Sequence, residues 1–598
     1  MRAAFSQPVG SETVSYTGRS RPSAVIPGLA LILSLLAAPV WPQQPGSVPL
    51  MAADAPLSGA FLAGRVAERN HAFAEASEYF ARALSLDPMN PAITDALANA
   101  LVGLGNVEAA VPLAEALDAR GQASQALQMV LVTDAFARGD HATAAGRLRD
   151  GPVGGPLVDG LALAWALVGE GRMADALDTF DTVIAGSGMS GFGNFHKALA
   201  LAAAGDVEGA EHILSGAAAG PLPLNRRGLV ARLQILSQLD RHEDAAGLID
   251  TAFGTDLDPE LAELRRALLA GETLAFDLVV QASDGLAEVY FMLAEALRNE
   301  AAPEYTLLFT RLAEFLRPDH VTAILLSAQL LDRLEQHELA ARSYERVPPE
   351  HAQFHIARTG LAESLYSAGR GEDAIDALFA LTETHGQFAS VHTALGDLLR
   401  RESRFDEASE AYDRAIDLLG EPHPRHWFVY YTRAITHERV SRWELAEADF
   451  RKALELNPDQ PHVLNYLGYS LVERREKLDE ALDMIERAVA GEPDNGYITD
   501  SLGWVLYRLG RYEEAVEHME RAVELRPQDA IINDHLGDVY WAVGRKLEAR
   551  FQWRRALSLG PADDLDMDRV RRKLEVGLDQ VLIDEGADPH HSAAGHAD

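Results

Sequence analysis

Apolar and polar positions along this chain do not alternate singly, and runs of alternating β-branched residues are hard to find. Ala, Leu, Glu and Arg instead crowd every stretch, which predicts helix throughout and essentially no sheet. The pattern also repeats. DSLGWVLYRLGRYEEAVEHMERAVELRP, residues 500–527, aligns without a gap on DHLGDVYWAVGRKLEARFQWRRALSLGP, residues 534–561, at a spacing of 34. A fixed period of this length marks stacked helix pairs, none of which buries its apolar face alone. Carried along the chain, the template predicts pairs starting near residues 57, 91, 125, 157, 191, 226, 287, 321, 355, 389, 427, 461, 496 and 530.

The register is set by an Ala at position 20 of each unit, present in all but the unit at 287; Ala408, Ala481, Ala515 and Ala549 are its last examples but one, Ala446. Position 8 tests that register independently, and it is small in nearly every unit, as at Gly396, Gly468, Gly503 and Gly537; Val132 and Leu233 are the exceptions. Two antiparallel helices approach closely only where facing side chains are small, so positions 8 and 20 are expected to meet. Large residues at position 24 (Phe80, Phe180, Tyr344, Tyr412, Phe450, Trp553) are expected to fill the space toward the next unit. Prolines at position 32 (Pro88, Pro318, Pro458, Pro493, Pro527, Pro561) stop the second helix. All of these are structural positions.

With these residues in place, the sequence resembles tetratricopeptide repeats. The resemblance implies an all-α solenoid of antiparallel helix pairs whose first helices line a concave surface, and a protein that binds other proteins.

Where the period fails, the chain divides. Residues 57–251 form a first, degenerate array; 252–286 do not fit the template and read as an irregular linker or degenerate pair; 287–561 form the second array. Residues 562–583 read as a polar capping helix over the last apolar face, and 584–598 as a disordered tail. Residues 24–40, AVIPGLALILSLLAAPV, follow Arg19 and Arg21 and read as a secretory signal; a single membrane anchor is the alternative, and a start at Met51 would make the protein cytoplasmic. Residues 41–56 are a Pro-rich spacer.

Charge and chemistry narrow the function. A formal charge of -37 repels phosphate backbones and anionic headgroups, so nucleic acid is not an expected partner. No cysteine is present, which removes thiolate metal sites, a cysteine nucleophile and a lipid-modified N-terminal cysteine. There is no HExxH, GxSxG, P-loop or GxGxxG; the Gly-rich 151–160 and 185–194 lack a following GK[ST]. His590, His591 and His596 sit in the tail, and His423 and His426 read as turn and cap residues. No cofactor, metal or catalytic residue is expected; an enzyme would need a pocket in 252–286.

In this architecture positions 2, 5, 9 and 12 of the first helix face the concave surface. They place Tyr431, Asn465, Tyr469, Tyr497, Asp500, Trp504, Tyr507, Asp534, Asp538 and Trp541 there. The expectation is an aromatic and acidic groove for an apolar, positively charged protein ligand; the alternative is that the rings only pack across neighbouring units. Domains that capture a chaperone's terminal carboxylate use Lys, Arg and Asn at such positions, so carboxylate capture is not expected.

NYLGYSLVERREKLDEALDMIERAVAGEPDNGYITDSLGWVLYRLGRYEEAVEHMERA and GLAEVYFMLAEAL, residues 285–297, resemble further a proteobacterial envelope group of tetratricopeptide proteins. That group includes a lipoprotein adaptor which binds a periplasmic carboxyl-terminal-processing protease and delivers cell-wall hydrolases to it. The resemblance covers about residues 285–560 and implies a periplasmic scaffold or adaptor. This chain has no cysteine to acylate. A structural scaffold of an envelope assembly or polymer-export machine is the other reading.

Overall fold

The structure, a computed structural model, describes residues 57–587 apart from 187, 219, 221, 223, 255–256, 258 and 561–564. The signal, anchor and spacer assigned to 1–56, Pro561 and the tail histidines His590, His591 and His596 lie outside the described residues. Among those residues there are 31 α-helices and no strands. First helices begin at Leu57, Pro91, Gln125, Pro156, Ser190, Arg226, Val321, Phe354, Ala389, Trp427, Pro461, Gly496 and Ala530, within a residue of the predicted starts, whereas the pair expected at 287 begins earlier, at Ala282. No described helix is long and apolar enough to cross a membrane.

The reason the register holds is visible at position 8. A Cβ on Gly396 would lie 2.7 Å from Tyr412, one on Gly503 2.5 Å from Met519, and one on Gly537 2.4 Å from Trp553. Position 24 therefore lies over position 8 of its own pair, and it also reaches the next unit, as where Phe450 stacks on Tyr466 with ring centroids 5.1 Å apart. The Ala at position 20 is fully buried at 408, 481, 515 and 549; its carbonyl is the other wall, 3.2 Å from a Cβ on Gly537 in the case of Ala549. Between the two helices every regular unit turns through a left-handed residue, with a second, Lys477, in the unit at 461. The shared one is glycine at Gly105, Gly139, Gly171, Gly205, Gly369, Gly510 and Gly544, but His71, Asp240, Glu335, Ser403, Ser441 and Arg475 elsewhere. The variable side chains there explain why the sequence pattern does not reveal this position.

The described helices fall into two compact units that divide between His385 and Gly386. The break is thus not at 252–286, and residues 287–385 pack with the first array. In the first unit, Pro259–Leu269 is a single helix lying on His242–Phe253, and 270–281 run without regular structure to a helical hairpin, Ala282–Leu297 and Pro303–Leu316. This hairpin does not merely continue the stack. It packs against first helices Pro91–Gly103, Gln125–Ala137, Pro156–Gly169 and Ser190–Ala203, which are the helices expected to line the concave face. Tyr290 Oη and Thr133 Oγ1 are 3.0 Å apart, Arg311 Nε donates to the Gly103 carbonyl at 3.3 Å, and Gly285 lies against the Trp165 indole. The groove of the first array is filled by the chain itself.

The second unit is a regular stack from Ala389–Arg401 to Lys546–Ser558. The expected single capping helix is two, Met567–Val576 and Leu578–Asp584, broken at Gly577. Gly577 has φ 86, and a Cβ there would lie 2.5 Å from Trp541, so both its backbone and its lack of a side chain are required. His423 and His426 cap the short 3-10 turn Pro424–His426, His423 accepting from the Arg425 amide and His426 from the His423 amide.

Candidate functional site

The ten residues expected in an open groove of the second unit divide into two sets. Tyr431, Asn465, Asp500, Tyr507, Asp534, Asp538 and Trp541 are buried. Tyr469, Tyr497 and Trp504 are half-buried. The structure therefore corrects the acidic groove: its carboxylates are internal.

Position 5 explains why. Successive first helices pack so closely that this position faces the next first helix rather than solvent. Tyr431 sits among Trp427, Phe428, Phe450 and Tyr466, with ring centroids 6.1–6.4 Å away. Asn465 is fully buried, and neither side-chain amide atom has a hydrogen-bond partner among the described residues. Asp500, also fully buried, receives His535 Nδ1 at 3.1 Å on both oxygens. Asp534 and Asp538 close on Lys573 Nζ, the former at 2.8 and 3.0 Å, the latter at 2.7 and 2.8 Å. Asp538 also accepts from Trp553 Nε1 at 2.8 Å. Lys573 belongs to Met567–Val576 and has no exposed surface; a cation can be held there only because two carboxylates surround it.

The rings follow the same logic. Trp541 donates from Nε1 to Asp579 at 2.9 Å and packs 5.3 Å from Trp553. Trp504 stacks on His535 at 4.1 Å and on Tyr507 at 4.8 Å, and its Nε1 donates to Glu473 at 2.8 Å. Arg508 reaches the same Glu473 oxygen at 3.3 Å. Tyr497 carries Arg526 over its ring at 4.7 Å. Packing across neighbouring units thus accounts for most of the aromatic set. What faces outward from the first helices Pro461–Glu473 and Gly496–Arg508 is a stripe of Tyr469, Tyr497 and Trp504, bordered by the Glu473 and Arg508 pair.

Four participants escaped the concave-position template: His535, Lys573, Glu473 and Arg508. A signal for two of them was present. His535 and Lys573 lie about one unit beyond the aspartates they face, a spacing that the sequence itself carries.

Burial of His535 would lower its pKa, but the charge and hydrogen bond of Asp500 outweigh burial and leave it raised above 6.5. A raised folded value means that the imidazolium pair stabilises the fold below 6.5 and is lost as pH rises through that folded value. The second unit should therefore melt at lower temperature as pH increases above 6.5. Thermal melts across pH check this, and His535→Gln should flatten that limb. Burial likewise raises Asp534, against the pull of Lys573.

A cavity of about 280 Å³ does border the irregular segment, lined by Arg226, Arg227, Glu260, Asp277, Arg317 and His351 among others. Its charges are matched within the chain: Arg226 to Glu260 at 2.8 Å, Arg227 to Glu288, and Arg317 to Asp319 at 3.3 Å. In that lining Thr322 Oγ1 and His320 Nδ1 are 3.1 Å apart, but the same nitrogen accepts from the Ala323 amide at 3.1 Å and the other ring nitrogen lies 3.1 Å from Glu288, so the imidazole is engaged within the chain. The cavity reads as a polar clasp holding Pro259–Leu269 to the unit.

The described residues form an α-solenoid of helix pairs, and stretches of it match models of the tetratricopeptide repeat. Models of the tetratricopeptide repeat match residues 61–126, 387–459 and 431–498, and a TPR repeat model matches 503–544. It is similar to a TPR repeat-containing protein of Pseudomonas aeruginosa, 27% identical over 173 residues, which is 29% of this chain. The chain covers 28% of that relative's own length. A UDP-N-acetylglucosamine–peptide N-acetylglucosaminyltransferase of Giardia intestinalis is 32% identical over 95 residues, 16% of this chain and 6% of that protein, and the match is confined to repeats. Among solved structures, the APC/C hetero-tetramer Cut9-Hcn1 is 15% identical with a TM-score of 0.37, covering 88% of this chain and 97% of that one.

Proposed function

We propose that the protein is a non-catalytic adaptor of the bacterial envelope that holds a protein partner along the first helices of its second unit. The observation that carries this reading is the contrast between the two units. Four first helices of the first unit, Pro91–Gly103, Gln125–Ala137, Pro156–Gly169 and Ser190–Ala203, are covered by the 282–316 hairpin. Those of the second pack with their neighbours in the stack, leaving Tyr469, Tyr497 and Trp504 half-buried in a row. Trp504, held by its bond to Glu473, and Tyr497, held under Arg526, are preorganised contact surface, since little entropy is lost when a partner covers them.

The finer reading follows the sequence resemblance over residues 285–560. It makes the chain an exported adaptor for a periplasmic carboxyl-terminal-processing protease. Because Asp500, Asp534 and Asp538 are neutralised internally, a cationic ligand is no longer part of it; the stripe suits an apolar segment whose polar groups meet Glu473 and Arg508.

Tagged wild type and Tyr469→Ala/Trp504→Ala, used on an envelope extract, test the site. The expected result is a partner retained at least about tenfold less by the variant, with its helix content unchanged. An unchanged partner list with the fold intact overturns the groove. N-terminal sequencing of the mature chain tests export, and a start at Met51 overturns it.

A further inference from the structure

Position 18 and position 22 of each unit, counted from the Ala at position 20, lie on the outward face of the second helix. In the second unit they read Asp406 and Glu410, Glu444 and Ala448, Asp479 and Asp483, Glu513 and Glu517, then Leu547 and Phe551. An acidic ridge becomes apolar at the last pair. The two side chains are not tucked away: Leu547 is 83% exposed and Phe551 62%. They stand one turn apart on Lys546–Ser558, so they share a face.

The charge around them inverts as well. Lys546, Arg550, Arg554 and Arg555 against Glu548 make this helix cationic, within a chain of formal charge -37. Exposed arginines elsewhere at helix starts are matched to a carboxylate three residues on, as in Arg370–Asp373, Arg404–Glu407 and Arg511–Glu514. The three that flank Phe551 are not. Arg550 donates to the Leu574 carbonyl at 2.7 Å and Arg555 to the Pro527 carbonyl at 2.9 Å, and none of Arg550, Arg554 or Arg555 meets a carboxylate within the described residues. Backbone carbonyls orient two guanidinium groups without cancelling their charge.

We infer that the outward face of Lys546–Ser558 docks an acidic, apolar-bearing segment of a protein partner, with Leu547 and Phe551 as anchors and Arg550, Arg554 and Arg555 as its charge complement. Apolar side chains ringed by uncompensated guanidinium groups gain from burial only beneath something that also brings carboxylates. An anionic bilayer would meet the repulsion of the whole chain, whereas a short segment meets mainly the local field, since charges beyond about 10 Å are screened. This surface is separate from the Tyr469 and Trp504 stripe and does not depend on it.

The test uses the full chain and a fluorescein-labelled amphipathic peptide of Glu and Leu at helical spacing, with a Lys/Leu peptide of the same pattern and phosphatidylglycerol vesicles alongside. The Glu/Leu peptide is expected to bind, to weaken about tenfold or more with Phe551→Ser/Arg554→Glu, to weaken with added salt, and to be indifferent to Tyr469→Ala/Trp504→Ala. Both substituted residues in the first pair are solvent-facing, and unchanged circular dichroism confirms the fold. Equal binding by wild type and Phe551→Ser/Arg554→Glu overturns the inference. So does vesicle binding that this variant abolishes while the peptide fails to bind, or self-association in sedimentation velocity that Phe551→Ser abolishes.

Discussion

Lys573→Ala is expected to destabilise the second unit by about 3–5 kcal/mol, because it leaves two buried carboxylates facing one another with only Arg569, 3.8 Å from Asp538, as a remaining cation. Nζ is the shared partner of Asp534 and Asp538, each held at 3.0 Å or less. Neither carboxylate has water to turn to. The loss has a local signature as well: Met567–Val576 and Leu578–Asp584 cover Trp541 through Gly577 and Asp579, so their release should shift tryptophan emission to the red before the unit unfolds. Removing Asp534 together with Lys573 should recover part of the loss. The single variant should regain stability as pH falls, since a proton on one carboxylate relieves the repulsion. Chemical denaturation followed by fluorescence at two pH values measures all of this, and a Lys573→Ala midpoint equal to wild type would sink the account.

Gly285→Val is the corresponding probe of the first unit. A Cβ at 285 would lie 2.2 Å from the Trp165 ring, and Trp165 is fully buried with Nε1 donating to His196 at 3.2 Å. The indole cannot swing aside without breaking that bond and its edge contact with Phe180, 5.9 Å between centroids. The expected cost is about 3 kcal/mol, lowering the melting temperature of the first unit and leaving the second unaltered. Trp165→Leu in the Gly285→Val background should restore much of it, because the double change exchanges volume across one contact. An unshifted melt for Gly285→Val would mean that the hairpin does not sit in the groove of the first array.

How much of this was legible beforehand depended on distance along the chain. Gly537 and Trp553 share one unit, so a periodic template finds their relation and sets helix starts to within a residue. Asp534 stands in the last repeat and Lys573 in the capping segment beyond it. The template registers only the first, and reading Asp534 as solvent-facing follows from treating each first helix as though no further helix lay beside it. Thr133 and Tyr290 are 157 residues apart, and nothing in a 34-residue period ties them. The segment 252–286 breaks the pattern because it carries the chain from the outer end of the first array back to the groove; its lack of fit was correct, and reading it as a boundary was not. The acidic groove failed for a related reason: composition reports the sign of a side chain, while its availability depends on which cation the next helix brings.

The filled groove also bears on how the protein comes into being. A stacked pair in the second unit finds its structural neighbours as soon as about one further repeat has been made. The first array cannot finish that way, since Arg311 must reach Gly103 across 208 residues. During synthesis its inner face stays bare until residues 282–316 have emerged, and contacts of such range close slowly. For that interval the nascent chain presents an open apolar channel, later absent from the mature protein, to whatever attends its emergence.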